Sequence, residues 1–170
     1  LPETAVRESK DRVRCAILNS HFSFPDRRIT VNLAPADLPK EGGRFDLPIA
    51  IGILAASGQV PQTLLAQHEL LGELALDGRL GAVPGAIAAA MAASAAGRQL
   101  VVPADSAAMA ALAPGSRIIA ADDLLTLSAH LNGSRAIDPS PPRLPDGEHP
   151  YPDLRDVAGQ QGARRALEIA

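Results

Sequence analysis

Aromatic residues, cysteine and long apolar runs are scarce in this chain, and each scarcity excludes a class of function. Aromatic residues make up 2% of the 170 residues and tryptophan is absent, which leaves little material for stacking nucleic-acid bases. Cys15 is the single cysteine, so an internal disulfide is excluded. The longest apolar run, residues 47–56, is far shorter than the roughly 20 residues of a membrane-spanning helix.

Metal ligands and a strong charge of one sign are also missing. The four histidines are scattered without the spacing of a metal site, so none is predicted. A formal net charge of −3 gives no general attraction for phosphate backbones. A signal peptide is absent, and the chain starts without methionine and stops within a helical pattern. We therefore expect a segment of a longer cytoplasmic protein.

The chain does contain regular apolar patterns that predict alternating helices and strands. Residues 2–19 are predicted to form a helix, and residues 28–33 alternate as a half-buried strand does. The apolar helix 47–56 follows, with Asp46 as its expected cap. Residues 69–83 are predicted to form a hairpin with a type I′ turn at Asp77-Gly78.

The second half of this domain repeats the order helix, strand, helix, strand, helix. An Ala-rich helix runs from Pro84 to Gly97, and a short strand covers residues 100–102. A further helix, a strand at residues 117–120 and a last helix capped by Asp122 complete the pattern. This order predicts an α+β fold with a mixed sheet and packed helices.

A change of composition near residue 135 indicates a domain boundary. Residues 1–134 are expected to form the domain, and the Pro-rich residues 135–152 a semi-rigid linker. Residues 153–170 begin a new helical pattern. We interpret them as the start of a second module.

Three motifs in the same order resemble the N-terminal domain of the ComM family, the magnesium-chelatase-like AAA+ ATPases. They are residues 1–9 (LPETAVRES), residues 32–48 with the core LPKEG, and residues 71–80 (LGELALDGRL). The resemblance covers nearly the whole chain. It implies a Lon-protease-like, ribosomal S5 domain 2-like fold that precedes an AAA+ module. It also implies a hexameric parent protein with ATP and Mg²⁺ as cofactors, its own AAA+ module as a partner, and no membrane association.

A Ser–Lys peptidase is the most specific hypothesis that the resemblance raises, because Lon-type enzymes use the loop that matches residues 38–46 for catalysis. Aligned with that family, Arg44 occupies the position of the serine and Ile87 that of the catalytic lysine. Arginine is no nucleophile and isoleucine carries no base, so no catalytic residue is predicted. Lys40 shares the loop, but no serine lies in the matching motif. A residual peptidase is therefore disfavoured.

ATP hydrolysis is the second chemistry to consider. The lysines, Lys10 and Lys40, complete no phosphate-binding P-loop, so this chain should not hydrolyse ATP, and it is expected to hold no cofactor itself. The resemblance implies ATP hydrolysis by the parent protein, with Val157, Gly159 and Gln160 as candidate contacts on the adenine side.

The parent family resembles DNA-remodelling motors of recombination and natural transformation. Arg28, Lys40 and Arg44 are therefore candidates for contact with DNA or a neighbouring subunit. Acidic residues are interleaved with them, which is also typical of an ion-paired surface. The alternative function is the ATPase subunit of a magnesium-chelatase-type complex.

Overall fold

The computed structural model describes residues 3–34, 42–143, 153 and 156–169, and within these ranges it shows six α-helices and five short strands. The helices are α1 Glu3–Asn19, α2 Asp46–Ala56, α3 Ala86–Ala95, α4 Ala104–Ala110, α5 Leu124–Leu131 and α6 Gln161–Ile169. The strands are β1 His68–Leu70, β2 Glu73–Leu74, β3 Leu80–Gly81, β4 Gln99–Pro103 and β5 Ile118–Ala121, and a 3₁₀ turn at Leu65–Gln67 leads into β1.

A three-stranded parallel sheet separates two hydrophobic cores. The strand order is β1-β4-β5, with Val101 of the central strand opposite Leu70 and Ile119. Val101 and Ile119 belong to a core with residues of α1, α2 and α5, whereas Leu100 and Val102 belong to a core with residues of α3 and α4. Alternate side chains of β4 thus enter opposite layers, which is why residues 100–102 of this parallel strand are all apolar.

Helix α2 is the most buried helix of the first core. Leu47, Ile51 and Leu54 are fully buried. The helix ends at Ala56, and its C-cap Ser57 is followed by Gly58 in a left-handed conformation. The prediction of a buried apolar helix is confirmed. Asp46, however, is not its cap, because it is the first residue of the helix and Phe45 precedes it without a side-chain capping bond.

The predicted hairpin is present but shorter, and its turn is of another type. Strands β2 and β3 pair antiparallel, while β1, expected to be part of the hairpin, pairs with β4 instead. Gly78 alone of the Asp77-Gly78 pair has a positive φ, of 89°, and its N–H donates to Ala75 O. A type I′ turn needs positive φ at both central residues, so that prediction is wrong.

The expected strand at residues 28–33 is not part of a sheet. These residues have no strand assignment, and Ile29 and Val31 of the expected buried face are 37% and 48% exposed. Alternation of β-branched residues favours extended backbone, but a strand also needs a partner edge. No described strand supplies one. The described strands form one parallel and one antiparallel sheet, whereas a single mixed sheet was predicted.

Helix α5 begins one residue later than its predicted cap implied. Asp123, not Asp122, caps the helix, with its carboxylate accepting from Thr126 N at 2.6 Å. The Asp122 carbonyl instead accepts from Leu80 N, which joins the hairpin to the end of β5. The hairpin is thereby fixed to the first core.

Candidate functional site

The loop before α2 is held against the chain around Gly72 by backbone bonds. Gly72 N donates to Arg44 O at 3.0 Å, and Leu47 N donates to Gly72 O at 3.1 Å. Gly43 lies where a Cβ atom would collide with the Glu73 side chain. The absence of a side chain at residue 43 therefore permits this close approach.

A buried ionic cluster joins the first residue of α2 to α1. The Asp46 carboxylate is 1% exposed and accepts from Ser9 Oγ at 2.6 Å and from Arg12 Nε at 2.7 Å. It also lies 3.5 Å from the backbone N–H of Leu74. The hydrogen bond to Asp46 is the main cause that raises the pKa of Arg12, which therefore stays charged. The sequence did not indicate that Ser9 and Arg12 contact Asp46, because they lie 37 and 34 positions away from it.

The predicted counterparts of the peptidase dyad lie at different places on the domain. Arg44 is half-buried in the turn before α2. Ile87, 38% exposed in the first turn of α3, lines a shallow depression of about 360 Å³ with Pro84, Asp105 and Met109. No residue of loop 42–46 lines that depression.

The depression offers no recognisable catalytic group beyond one serine. Ser106 Oγ accepts from Val83 N at 3.3 Å and is buried beside Asp105. Within the described ranges Lys10 is the one lysine, and it is exposed on α1. Lys40 lies outside the described residues. A Ser–Lys pair is thus not assembled in the part of the chain that the structure covers.

Several arginines are neutralised by carboxylates, whereas Arg28 is not. Arg79 binds Asp77 at 2.7 Å and Arg98 binds Glu69 at 2.5 Å. Arg28 is exposed in the segment of residues 28–33, and no salt bridge joins it to a described residue. Of the two predicted contact residues that the structure describes, Arg28 is exposed and Arg44 is half-buried.

A second basic side chain, on α1, contacts Phe24, which precedes this segment in the chain. The Arg14 guanidinium stacks over the Phe24 ring, 4.8 Å from its centroid. This cation–π contact fixes the direction of an exposed cation. The pairing was not foreseen from the sequence, because the two residues belong to different elements.

The candidate adenine contacts lie in an exposed turn before α6. Gly159 and Gln160 have positive φ angles of 74° and 51°, and the Gln160 carbonyl accepts from Arg164 N at 2.9 Å. The Val157 carbonyl lies 3.4 Å from the Arg164 guanidinium. The turn therefore starts the helix, and its contact with a nucleotide stays a prediction.

Two of the histidines meet in space. The His68 and His130 rings form an edge-to-face pair with centroids 6.2 Å apart. They are separated widely in sequence, so no spacing signal could have revealed the pair. Among the described residues no group of three or more His, Cys, Asp or Glu is arranged to hold a metal ion. His149 lies outside those residues.

The described helices include none with the length and apolar character required to cross a membrane.

The fold and loop define a mixed α/β domain built on a small parallel sheet, without an assembled catalytic pair in its described part. Comparison with known proteins identifies the class. A family model described as subunit ChlI of Mg-chelatase matches residues 1–106. The chain belongs to this ChlI family, and the resemblance inferred from its three motifs is confirmed.

Similar proteins extend the match over the whole chain. YifB of Escherichia coli (strain K12) is 48% identical over 169 residues, 99% of this chain and 33% of that protein. YifB of Salmonella typhimurium is 51% identical over 171 residues, 99% of this chain and 33% of that protein. The competence protein ComM of Haemophilus influenzae is 47% identical over 175 residues, 100% of this chain and 34% of that protein. The chain thus spans about a third of the length of these relatives.

Proposed function

We propose that this chain is the non-catalytic N-terminal domain of a ComM-like AAA+ ATPase, with a ribosomal S5 domain 2-like fold. The parent protein would form a hexameric ring in the cytoplasm and use ATP and Mg²⁺ to remodel DNA in recombination or natural transformation. The similarity to a competence protein over the full chain is the observation that carries this proposal. The parallel sheet with helices on both faces is compatible with it.

The domain would act through binding rather than through chemistry. Arg44 and Ile87 at the counterparts of the peptidase serine and lysine argue against peptide cleavage. The loop around Arg44 is instead fixed rigidly by Gly72 and by the Asp46 cluster. A loop held in this way, in a domain that also exposes Arg28, suits contact with a neighbouring subunit or with DNA.

The nucleotide would be bound outside this domain. In the parent protein, Val157, Gly159 and Gln160 would lie on the adenine side of ATP, where an exposed turn leads into α6. The chain itself contains no P-loop sequence. ATP hydrolysis therefore belongs to the part of the parent protein beyond this chain.

The proposal is tested on the full-length protein with and without residues 1–134. We expect DNA-stimulated ATP hydrolysis and branch migration of a forked substrate, both reduced in the truncated protein. Sedimentation with ATP should show a hexamer. Failure of the full-length protein to bind DNA at low salt would contradict the motor function.

Replacing Arg28 by alanine in the full-length protein should weaken binding to DNA and make it less sensitive to salt. Loss of one phosphate contact lowers the slope of log K against log salt by about 0.7–0.9. Fluorescence anisotropy with labelled single-stranded and forked DNA over a salt series measures both quantities. Arg98→Ala is the matched control, because that exposed arginine is already paired with Glu69. Equal effects of the two variants would argue against Arg28 as a DNA contact.

The description of the matched family favours a second candidate, the ATPase subunit of a magnesium-chelatase-type complex. This function predicts that ATP hydrolysis responds to a porphyrin and its insertion partners instead of DNA. Measuring the ATPase rate of the full-length protein with forked DNA and with porphyrin separates the two functions. The compound that raises the rate identifies the pathway.

A further inference from the structure

The segment that leaves α5 does not run directly into solvent. Gly133, with φ of 72°, turns the chain, and the N–H groups of Ser134 and Arg135 donate to Ala129 O. Further along, Ser140 N donates to Ile118 O of β5 at 2.8 Å. We call residues 135–140 the strap. It lies on the domain although its composition is that of a linker.

The centre of the strap is held by an imidazole and by the first core. Ile137 N donates to His130 Nδ1 at 2.9 Å, and the Ile137 side chain packs against the core that contains α1, α2 and α5. Nδ1 can accept this bond only while it carries no proton. The proton of the neutral ring must therefore reside on Nε2.

Protonation of His130 would set two donors against each other. A proton on Nδ1 would point at the Ile137 N–H group, which has no other acceptor in the strap contacts described. The hydrogen bond would be replaced by repulsion, and a charge would lie at the edge of an apolar core. The strap therefore stays bound to the domain only while His130 is neutral.

The surroundings of His130 favour the neutral form. Burial, and secondarily the neighbouring His68, lower the pKa of His130. His68, the first residue of β1, is the titratable group that faces it, and His68 Nδ1 is 2.8 Å from Leu64 O. The charged residues of the strap itself, Arg135 and Asp138, are exposed.

We propose that the strap is a pH-sensitive latch, seated on the domain while His130 is neutral and released when His130 is protonated. The bond from Ile137 N to His130 Nδ1 is the contact that carries it. Release would free the residues that lead from the domain toward α6. The latch would thus regulate how tightly the domain is coupled to whatever follows it. It does not depend on the DNA-remodelling function proposed above.

The direction of the pH dependence follows from linkage. Burial is the main cause that lowers the pKa of His130 in the seated state. Release would remove the Ile137 N–H group that bonds the neutral ring, and would thereby shift the pKa back toward its ordinary value of about 6.5. The released state therefore binds protons more readily. The bound state of the strap has its full stability at a pH above the ordinary pKa of histidine. It loses stability as the pH falls from there through the lowered pKa of the bound state.

Amide hydrogen exchange of the 170-residue chain, followed by NMR between pH 8 and pH 5, tests the proposal. After correction for intrinsic exchange rates, protection of the Ile137 and Ser140 amides should fall roughly fivefold or more on acidification, as for the loss of one net hydrogen bond. The amide of Ser20, bonded to Ala16 O within the α1 end, should keep its protection. Protection of Ile137 that is the same at both ends of this pH range would overturn the latch.

Variants separate the imidazole from other causes. His130→Asn offers an amide oxygen near the position of Nδ1 without titrating, so protection of Ile137 should become independent of pH. Ile137→Ala should loosen Ser140 at every pH, because its apolar contact is removed. His21→Asn, at a left-handed turn that asparagine tolerates, is the matched control and should behave as the parent chain. A His130→Asn variant that still titrates would also overturn the proposal.

Discussion

Replacing Asp46 by alanine should lower the free energy of unfolding by about 3 kcal/mol. The carboxylate is fully buried and accepts from Ser9 Oγ and Arg12 Nε, so its removal leaves both donors without their acceptor. The loss is moderated because the Arg12 side chain is 25% exposed and can recruit water. Urea denaturation followed by circular dichroism at 222 nm would measure it.

A double-mutant cycle separates the ionic contact from simple loss of packing. Arg12→Met keeps the apolar stem but leaves Asp46 buried without its cation, and this variant should lose a similar amount of stability. The double variant, Asp46→Ala with Arg12→Met, should cost little more than either single change. Strictly additive losses would show that the two side chains do not act as a pair.

Replacing Ser9 by alanine should cause a smaller loss of stability in the same cluster. It removes one hydrogen bond to Asp46 while Arg12 remains, so a loss of about 1 kcal/mol is expected. If Ser9→Ala lost as much stability as Asp46→Ala, the hydroxyl of Ser9 and not the ion pair would be the main source of stability in the cluster. Because the cluster joins α1 to the first residue of α2, all three variants also report on how firmly the start of α2 is held.

Replacing Gly78 by alanine should destabilise the domain by about 3 kcal/mol, for two separate reasons. Its φ of 89° is unfavourable for any residue with a side chain. In addition, the new Cβ atom would collide with Ser20 Oγ at the end of α1. Thermal and urea unfolding of the variant would give the change in stability.

Gly58→Ala is the matched control for the backbone contribution. Gly58 has a similar φ of 77°, but no atom lies within 4 Å of a Cβ built on it. Its replacement should therefore cost only the left-handed backbone strain, about 1 kcal/mol. Adding Ser20→Ala to Gly78→Ala should recover about 1 kcal/mol by removing the hydroxyl. Equal losses for the two glycine variants would show that the contact with α1 has no effect.

Elements with a strong local signal were predicted well from the sequence. The apolar run of α2, the short apolar strand β4 and the glycine that turns the chain after Asp77 each follow from periodicity or turn chemistry within a few residues. The ChlI family membership is likewise carried by contiguous motifs. Such signals require no knowledge of what an element packs against.

Contacts between distant residues were not predictable in this way. Asp46 has the sequence context of a helix cap, yet its carboxylate binds Ser9, 37 residues away. Residues 28–33 alternate like a strand but meet no partner edge among the described strands. In both cases the local pattern states a preference, and the neighbours brought by folding determine the outcome.

At the candidate site too, some conclusions follow from the sequence alone and others required the tertiary structure. Residue types alone were enough to argue against a Ser–Lys peptidase, because neither Arg44 nor Ile87 can perform the chemistry whatever the fold. The ionic cluster around Asp46 and the bond from Ile137 to His130 required the three-dimensional arrangement, since a buried polar group takes the partner that packing places beside it. Chemistry that a side chain lacks can be read from a sequence, whereas the partner that a side chain finds is settled by long-range packing.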